Sequence, residues 1–208
     1  MRGRLITLEG GEGAGKSTQA RLLAEALCER GLPVLRTREP GGALGSELLR
    51  EILLSGRIDW SPRAETMLHV AARMEHVAKT ILPAIEAGTW VVCDRFHDST
   101  VAYQGYGLGV DLAFIEALAG MIGIVPDLTL VLDVPRDVGL TRMRARGGDD
   151  DRYERLNEEF HQRVNDGFRA IAAARTRCVL IDASGPAADV HAAVMATVRS
   201  RLPVAPLQ

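Results

Sequence analysis

An α/β fold is predicted for this 208-residue chain: a three-layer sandwich whose parallel five-stranded sheet is covered by helices on both faces. Three observations predict it. Five short, nearly continuous apolar runs recur along the chain, the segments between them carry apolar residues at helical spacing, and a glycine-rich loop joins the first run to the first helix. Strands apolar on both faces belong to parallel sheets with helices above and below.

The first strand is read at Leu5 to Leu8, followed by the loop Gly10 to Ser17, GGEGAGKS. A helix spans Thr18 to Arg30, with Ala20, Leu23 and Leu27 on one face, a stop at Gly31 and Pro33 just beyond. The second strand is Pro33 to Arg36. Ser61 followed by Pro62 opens a helix that runs toward Lys79 until Pro83 disturbs it. Thr89 to Cys93 is the third strand, Leu128 to Leu132 the fourth and Cys178 to Ile181 the fifth; Asp111, Pro135 and Pro186 mark three further helix starts. Ligands of such sheets sit at the carboxyl ends of the strands. The residues to inspect are therefore Glu9 with the loop, Thr37 to Gly42, Asp94 to Phe96, Asp133, and Asp182 to Gly185.

The loop fits G-x-x-x-x-G-K-[ST] with a strand before it and a helix after it, which makes the fold P-loop NTPase-like. Its glycines let backbone N–H groups wrap a phosphate at a positive helix N-terminus. Gly10, Gly11, Glu12, Gly13, Ala14, Gly15, Lys16, Ser17 and Thr18 are the expected ATP-binding stretch, with Lys16 at the β/γ-phosphates and Ser17 on Mg²⁺. Only Lys16 and Lys79 are lysines among 25 basic residues, so one of two compact ammonium groups stands where a phosphate loop uses one. Asp94 and Arg95 end a strand; the carboxylate is placed to hold Mg²⁺ through water and the guanidinium to clamp a phosphate.

Composition excludes other classes. With 47% apolar residues, 25% charged and a net charge of −2, the chain lacks the bulk positive charge of a nucleic-acid binder. Cys28, Cys93 and Cys178 are scattered without metal-ligand spacing and read as reduced core thiols. No apolar run reaches membrane-spanning length and no signal-peptide pattern opens the chain, so a cytoplasmic protein with no membrane partner is expected. Residues 1–208 are read as one domain, with a short mobile lid at about 144–155 around GGDDD and a frayed tail from Pro203.

GGEGAGKS, TREPGG at 37–42, DRF at 94–96 followed by DSTVAYQG at 98–105, PDLTLVLDV at 126–134 and DRYE at 151–154 occur in an order and at separations that resemble the bacterial thymidylate kinases over nearly the whole chain. The resemblance implies transfer of the ATP γ-phosphoryl group to dTMP, Mg²⁺ as cofactor, and a homodimer. It implies dTMP binding by Arg95 and Arg38 at the phosphate, Glu12 at the sugar 3′-hydroxyl, Arg73 at the thymine O4, and Pro40, Ser99, Thr100 and Gln104 nearby, with Tyr103 crowding the 2′ position. Where this family commonly stacks Phe on thymine the chain has His69, whose imidazole offers less stacking area and is expected to titrate near neutral pH. The phosphate loop lacks a basic residue before Lys16, which resembles the type that places its catalytic arginine in the lid: Arg152 first, then Arg146, among Arg142, Arg144 and Arg155. Arg142 is expected at the adenine, opposite the loop Asp182 to Gly185. Ala43 replaces a commoner Thr. The alternatives are a kinase for another nucleoside monophosphate and a nucleotide-switched interaction protein; no guanine-reading N-K-x-D pattern is present.

Overall fold

The structure, a computed structural model, describes residues 2–146, 152, 153 and 155–202, and of Arg146 only the backbone. The GGDDD run at 147–151 and the tail from Pro203 lie outside the described residues. One sheet runs in the order β2 (Val34–Arg38), β3 (Trp90–Asp94), β1 (Leu5–Gly10), β4 (Leu128–Asp133) and β5 (Cys178–Asp182), every neighbouring pair parallel. The register sets Leu8 and Arg38 beside Asp94, and Gly10 beside Leu132. The strand ends that matter therefore share one edge of the sheet, where the strand order reverses about β1.

Strand alternation builds the layers. Ile6, Leu8, Val92, Leu128, Leu130 and Leu132 point to one face, where α1 (Lys16–Cys28) and α9 (Ala187–Arg201) cover them with Leu23, Leu27, Val190 and Val194. Leu5, Val91, Cys93 and Val131 point to the other. That face meets α3 (Pro62–His76), α6 (Leu112–Ile122) and α8 (Glu158–Ala174) through Val70, Ile115, Leu118, Phe160 and Val164. Each fully buried Leu or Ile here contributes on the order of 2 kcal/mol.

Several elements differ from the sequence reading. The second strand extends to Arg38, so Thr37 and Arg38 belong to it rather than follow it. Pro83 disturbs the third helix without ending it: α3 widens into a π-helical stretch at Val77–Ile81 and continues as α4 (Leu82–Glu86), with the proline in its first turn. An unforeseen helix, α2 (Leu44–Leu54), follows TREPGG. After β3 the chain forms α5 (His97–Thr100), which runs into a second π-helical stretch at Val101–Gly107. The helix opened by Pro135 is α7 (Arg136–Arg146), which contains Arg142 and Arg144. Cys28 is exposed at the end of α1, so only Cys93 and Cys178 are core thiols; all three are free. Among the described residues no helix is long and apolar enough to cross a membrane.

Candidate functional site

The phosphate loop turns tightly between β1 and α1. Gly10 (φ 137°) and Gly13 (φ 73°) hold conformations that L side chains resist, and a Cβ on either would lie 2.4 Å from Leu132 O or 2.2 Å from Gly139 O. Lys16 Nζ donates to Gly11 O at 2.7 Å, so the ammonium lies folded over the loop. Burial, and then the nearby Arg95, bring its pKa down to about 8. Ser17 Oγ donates to Asp94 Oδ2 at 2.5 Å. A hydroxyl and one carboxylate side by side suit Mg²⁺, which takes few protein oxygens and keeps waters and substrate phosphates as its other ligands.

Beyond β3 the backbone of Arg95 is left-handed (φ 68°), a conformation that costs a non-glycine residue about 1–2 kcal/mol. Arg95 N donates to Leu8 O at 2.9 Å, and Phe96 N to the Glu9 carboxylate at 2.8 Å. Glu9 also accepts from Ser99 Oγ at 2.5 Å. These bonds turn the Arg95 side chain back toward the loop. Its guanidinium reaches Glu12 Oε1 (2.5 Å), Tyr103 OH (3.0 Å), Ser99 Oγ (3.2 Å) and Gly10 O (3.2 Å). Tyr103 OH donates to the same Glu12 oxygen at 2.6 Å. Burial opposes the Glu12 charge, but Arg95 and Lys16 outweigh it and hold the carboxyl at about 2. Glu12 is therefore an acceptor at neutral pH, set inside an anion-binding loop.

Two cavities open on this cluster. The larger, about 920 Å³, is lined by Glu12–Gln19, Arg38, Asp94, Arg142, Gly185 and Pro186 among others. Arg142 is fixed there by donating to Ala183 O (2.7 Å), Ser184 O (3.0 Å) and Gly185 O (2.8 Å). The smaller, about 80 Å³, is lined by Pro40, His69, Arg73, Phe96, Ser99, Thr100, Tyr103, Gln104 and Tyr153. Glu12, Glu39, Arg50, Leu54 and Arg95 line both, so the cavities meet along these residues.

In the smaller cavity Arg73 donates from Nη2 to Phe96 O (2.9 Å) and Thr100 Oγ1 (3.0 Å) and from Nε to Glu39 (2.6 Å), while its Nη1 is buried without a partner among the described residues. His69 Nε2 meets Tyr153 OH at 2.8 Å. Contrary to the expectation of titration near neutrality, burial and then Arg73, Arg95 and Arg152 push the imidazole down to about 3. Tyr153 OH in turn donates to the buried Glu65 at 2.6 Å, which also accepts from Gln104 at 3.0 Å.

Two arginines expected at the reacting phosphates are paired with carboxylates. Arg38 lines the larger cavity but not the smaller, and pairs with Glu47 at 3.0 Å. Arg152 pairs with Glu65 and, at 3.5 Å, with Asp59, and lines neither cavity. The side chain of Arg146 lies outside the described residues. Sequence reasoning missed Arg50, Leu54 and Glu65, and gave no role to Glu39 within TREPGG or to Tyr153 within DRYE. Arg50 and Leu54 stand four apart on α2 and would have drawn notice had that helix been read.

Known proteins resemble the chain throughout. The family model described as thymidylate kinase matches residues 8–194. The chain is 54% identical over 208 residues to the thymidylate kinase of Gluconobacter oxydans (strain 621H), covering 98% of this chain and 97% of that one. The chain belongs to the thymidylate kinase family. The thymidylate kinase of Synechococcus sp. (strain JA-2-3B'a(2-13)) is 53% identical over 203 residues, covering 96% of each chain. The crystal structure of thymidylate kinase from Ehrlichia chaffeensis superposes with a TM-score of 0.79 at 34% identity, covering 95% of this chain and all of that one. In this member of the thymidylate kinase family, the phosphate loop and the Arg73 cavity face one another across Arg95.

Proposed function

We infer that the protein transfers the γ-phosphoryl group of ATP to dTMP, giving dTDP and ADP. The observation that carries this reading is the shared position of Arg95 and Glu12 on both cavities, the larger built on a phosphate loop and the smaller ending at the Nη1 of Arg73, which has no partner among the described residues. ATP fits the larger cavity, with its phosphates on residues Gly10 to Thr18 and its adenine beside Arg142. dTMP is assigned to the smaller cavity, which at about 80 Å³ has to widen toward the larger one to admit it, with its phosphate at Arg95, its sugar between Glu12 and Tyr103, and its base among Pro40, His69, Arg73, Ser99, Thr100 and Gln104. Arg50, which lines both cavities, joins Arg95 at the meeting point of the two phosphates, with Arg38 on the donor side.

Ser17 and Asp94 would hold Mg²⁺, which when bound neutralises charge on the donor phosphates. The acceptor oxygen is already anionic, so the residues need only align it and neutralise charge; no base is required. Lys16 and Arg95 supply that charge from fixed positions. Residues 1–208 are proposed as one nucleoside monophosphate kinase domain with its lid at about 144–155. Arg152, with Arg146 second, is proposed to reach the transferred group from that lid, which requires it to leave Glu65. Arg152→Ala is expected to lower kcat at least tenfold at saturating substrates with little change in the KM for dTMP; unchanged turnover removes Arg152 from the reaction.

A homodimer is proposed on the outer face of α2 and α3. Leu44, Leu48 and Ile52, at i, i+4 and i+8 on α2, and Met67 and Met74 on the adjoining α3 are all more than 40% exposed. Apolar side chains at this spacing form an outward stripe that a second copy would cover. ADP release measured over a panel of nucleoside monophosphates tests the function. dTMP should be the preferred acceptor, and a preference for dAMP, CMP or unphosphorylated thymidine overturns the reading.

A further inference from the structure

Arg73 is held from three sides, and the holding group is itself held. Its side chain is 3% exposed, its Nε is taken by Glu39 Oε2 at 2.6 Å, and its Nη2 by Phe96 O and Thr100 Oγ1. The guanidinium carbon lies 5.2 Å from the centre of the Phe96 ring. What remains is Nη1, which carries two N–H donors and, among the described residues, no acceptor. Behind Glu39, its other oxygen Oε1 meets His76 Nδ1 at 3.1 Å, and His76 Nε2 meets Thr37 Oγ1 at 2.8 Å. His76 is fully buried and Glu39 nearly so. With the proton on Nδ1, the imidazole donates to Glu39 and accepts from the Thr37 hydroxyl, so each oxygen of the carboxylate has its own donor. The carboxylate thus has little freedom to rotate, and neither has the guanidinium it grips.

We propose that Glu39, braced by His76 and Thr37, is the positioning residue of Arg73: by occupying Nε it leaves Nη1 as a fixed donor corner that selects a 4-carbonyl pyrimidine over a 4-amino one. The proposal rests on the reading that Arg73 meets the acceptor base. A carbonyl at that corner satisfies the donor, whereas an amino group sets donor against donor and leaves both buried and unpaired. A guanidinium loosed from Glu39 can swing Nε or Nη2 toward the base or withdraw, and the distinction weakens. Glu39 also lines both cavities, so this brace connects the base site to the strand end that bears Arg38.

The test is the ratio of kcat/KM for dTMP to that for dCMP, with the ratio for dTMP to dUMP as the control. Both ratios are taken within one preparation, so they do not depend on how much of a variant folds. In Glu39→Gln the dTMP:dCMP ratio is expected to fall at least tenfold, chiefly through a higher KM for dTMP. The dTMP:dUMP ratio should stay within twofold, because both bases carry the 4-carbonyl. His76→Asn, whose amide nitrogen falls near the place of Nδ1, should preserve discrimination, while His76→Gln, which reaches toward Thr37 instead, should lose part of it. An unchanged dTMP:dCMP ratio in Glu39→Gln, with that ratio lost in Arg73→Ala, overturns the positioning role. An equal fall in both ratios also overturns it, because general disturbance of the cavity then accounts for the effect. If Arg73→Ala itself keeps the dTMP:dCMP ratio, the placement of Arg73 at the base is what fails.

Discussion

Glu9 sits fully buried at the end of β1, where burial and then the neighbouring Asp98 carboxylate push its pKa up to about 8. The groups around it are Ser99 and the Phe96 N–H in contact, with Asp98 and Arg95 exerting charge from the same segment. A carboxyl whose folded pKa lies above its unfolded value contributes stability that is complete below about pH 4.5 and is lost as pH rises toward 8. Relative to Glu9→Gln, the parent should therefore lose on the order of a few kcal/mol between pH 5 and 8 in urea unfolding; parallel curves would show that Glu9 is ionised throughout. His69 works in the opposite direction. Its folded pKa of about 3 lies below the unfolded value of 6.5, so its contribution is present above pH 6.5 and falls away as pH drops toward 3. His69→Phe should flatten that acid limb by somewhat less than about 1 kcal/mol per pH unit, since the ring is only half-buried. Thermal unfolding of the two proteins at pH 7 and pH 5.5 measures the difference.

At the scale of elements, the strands and the phosphate loop were legible because each has a local signal: an apolar run, or glycines at fixed offsets before a lysine. Two elements were not. α2 turns Leu44, Leu48 and Ile52 outward while burying Leu53, so its apolar residues do not fall on one core face, and it begins without a side-chain cap. Residues 101–107 follow a wider helix whose period matches neither template. α8 did carry a signal that went unread: Asn157 caps Phe160 N at 2.9 Å, and Phe160, Val164, Phe168 and Ile171 form its buried stripe. The site divides in the same way. Arg73 and Arg95 were found by their motif or spacing, whereas Glu39, Glu65 and Tyr153 acquire their roles only when three separate elements converge. The exposed stripe of α2 predicts assembly at this scale: Leu48→Glu should shift the protein to a single-chain mass in sedimentation at micromolar concentration, and an unaltered mass places the contact elsewhere.

At the scale of the whole molecule, the sheet edge that carries the chemistry is tied to its far side. Buried Asp98, four residues past β3, accepts from Arg177 at 2.6 and 2.9 Å and also pairs with Arg175. Arg175 reaches on to Glu116 of α6. Burial opposes the Asp98 charge, but Arg177 and Arg175 hold its carboxyl below the usual range. This network anchors the segment bearing Arg95 and Ser99 to the entry of β5. The opposite face depends on α9, whose Val190, Val194 and Val198 close over Ile6 and Leu130. Val194→Ala should cost about 2 kcal/mol in urea denaturation while leaving the KM for both substrates unchanged; a raised KM would mean that the face away from the acceptor cavity also shapes the site.

Helix α2 has two working sides. Arg50 and Leu54 stand half a turn away from Leu48 and Ile52, so one flank borders both cavities while the other is turned outward. A second copy seated on the outward flank would therefore bear on Arg50 through a single helix, so that pairing of two chains and the grip on the phosphates share one rod.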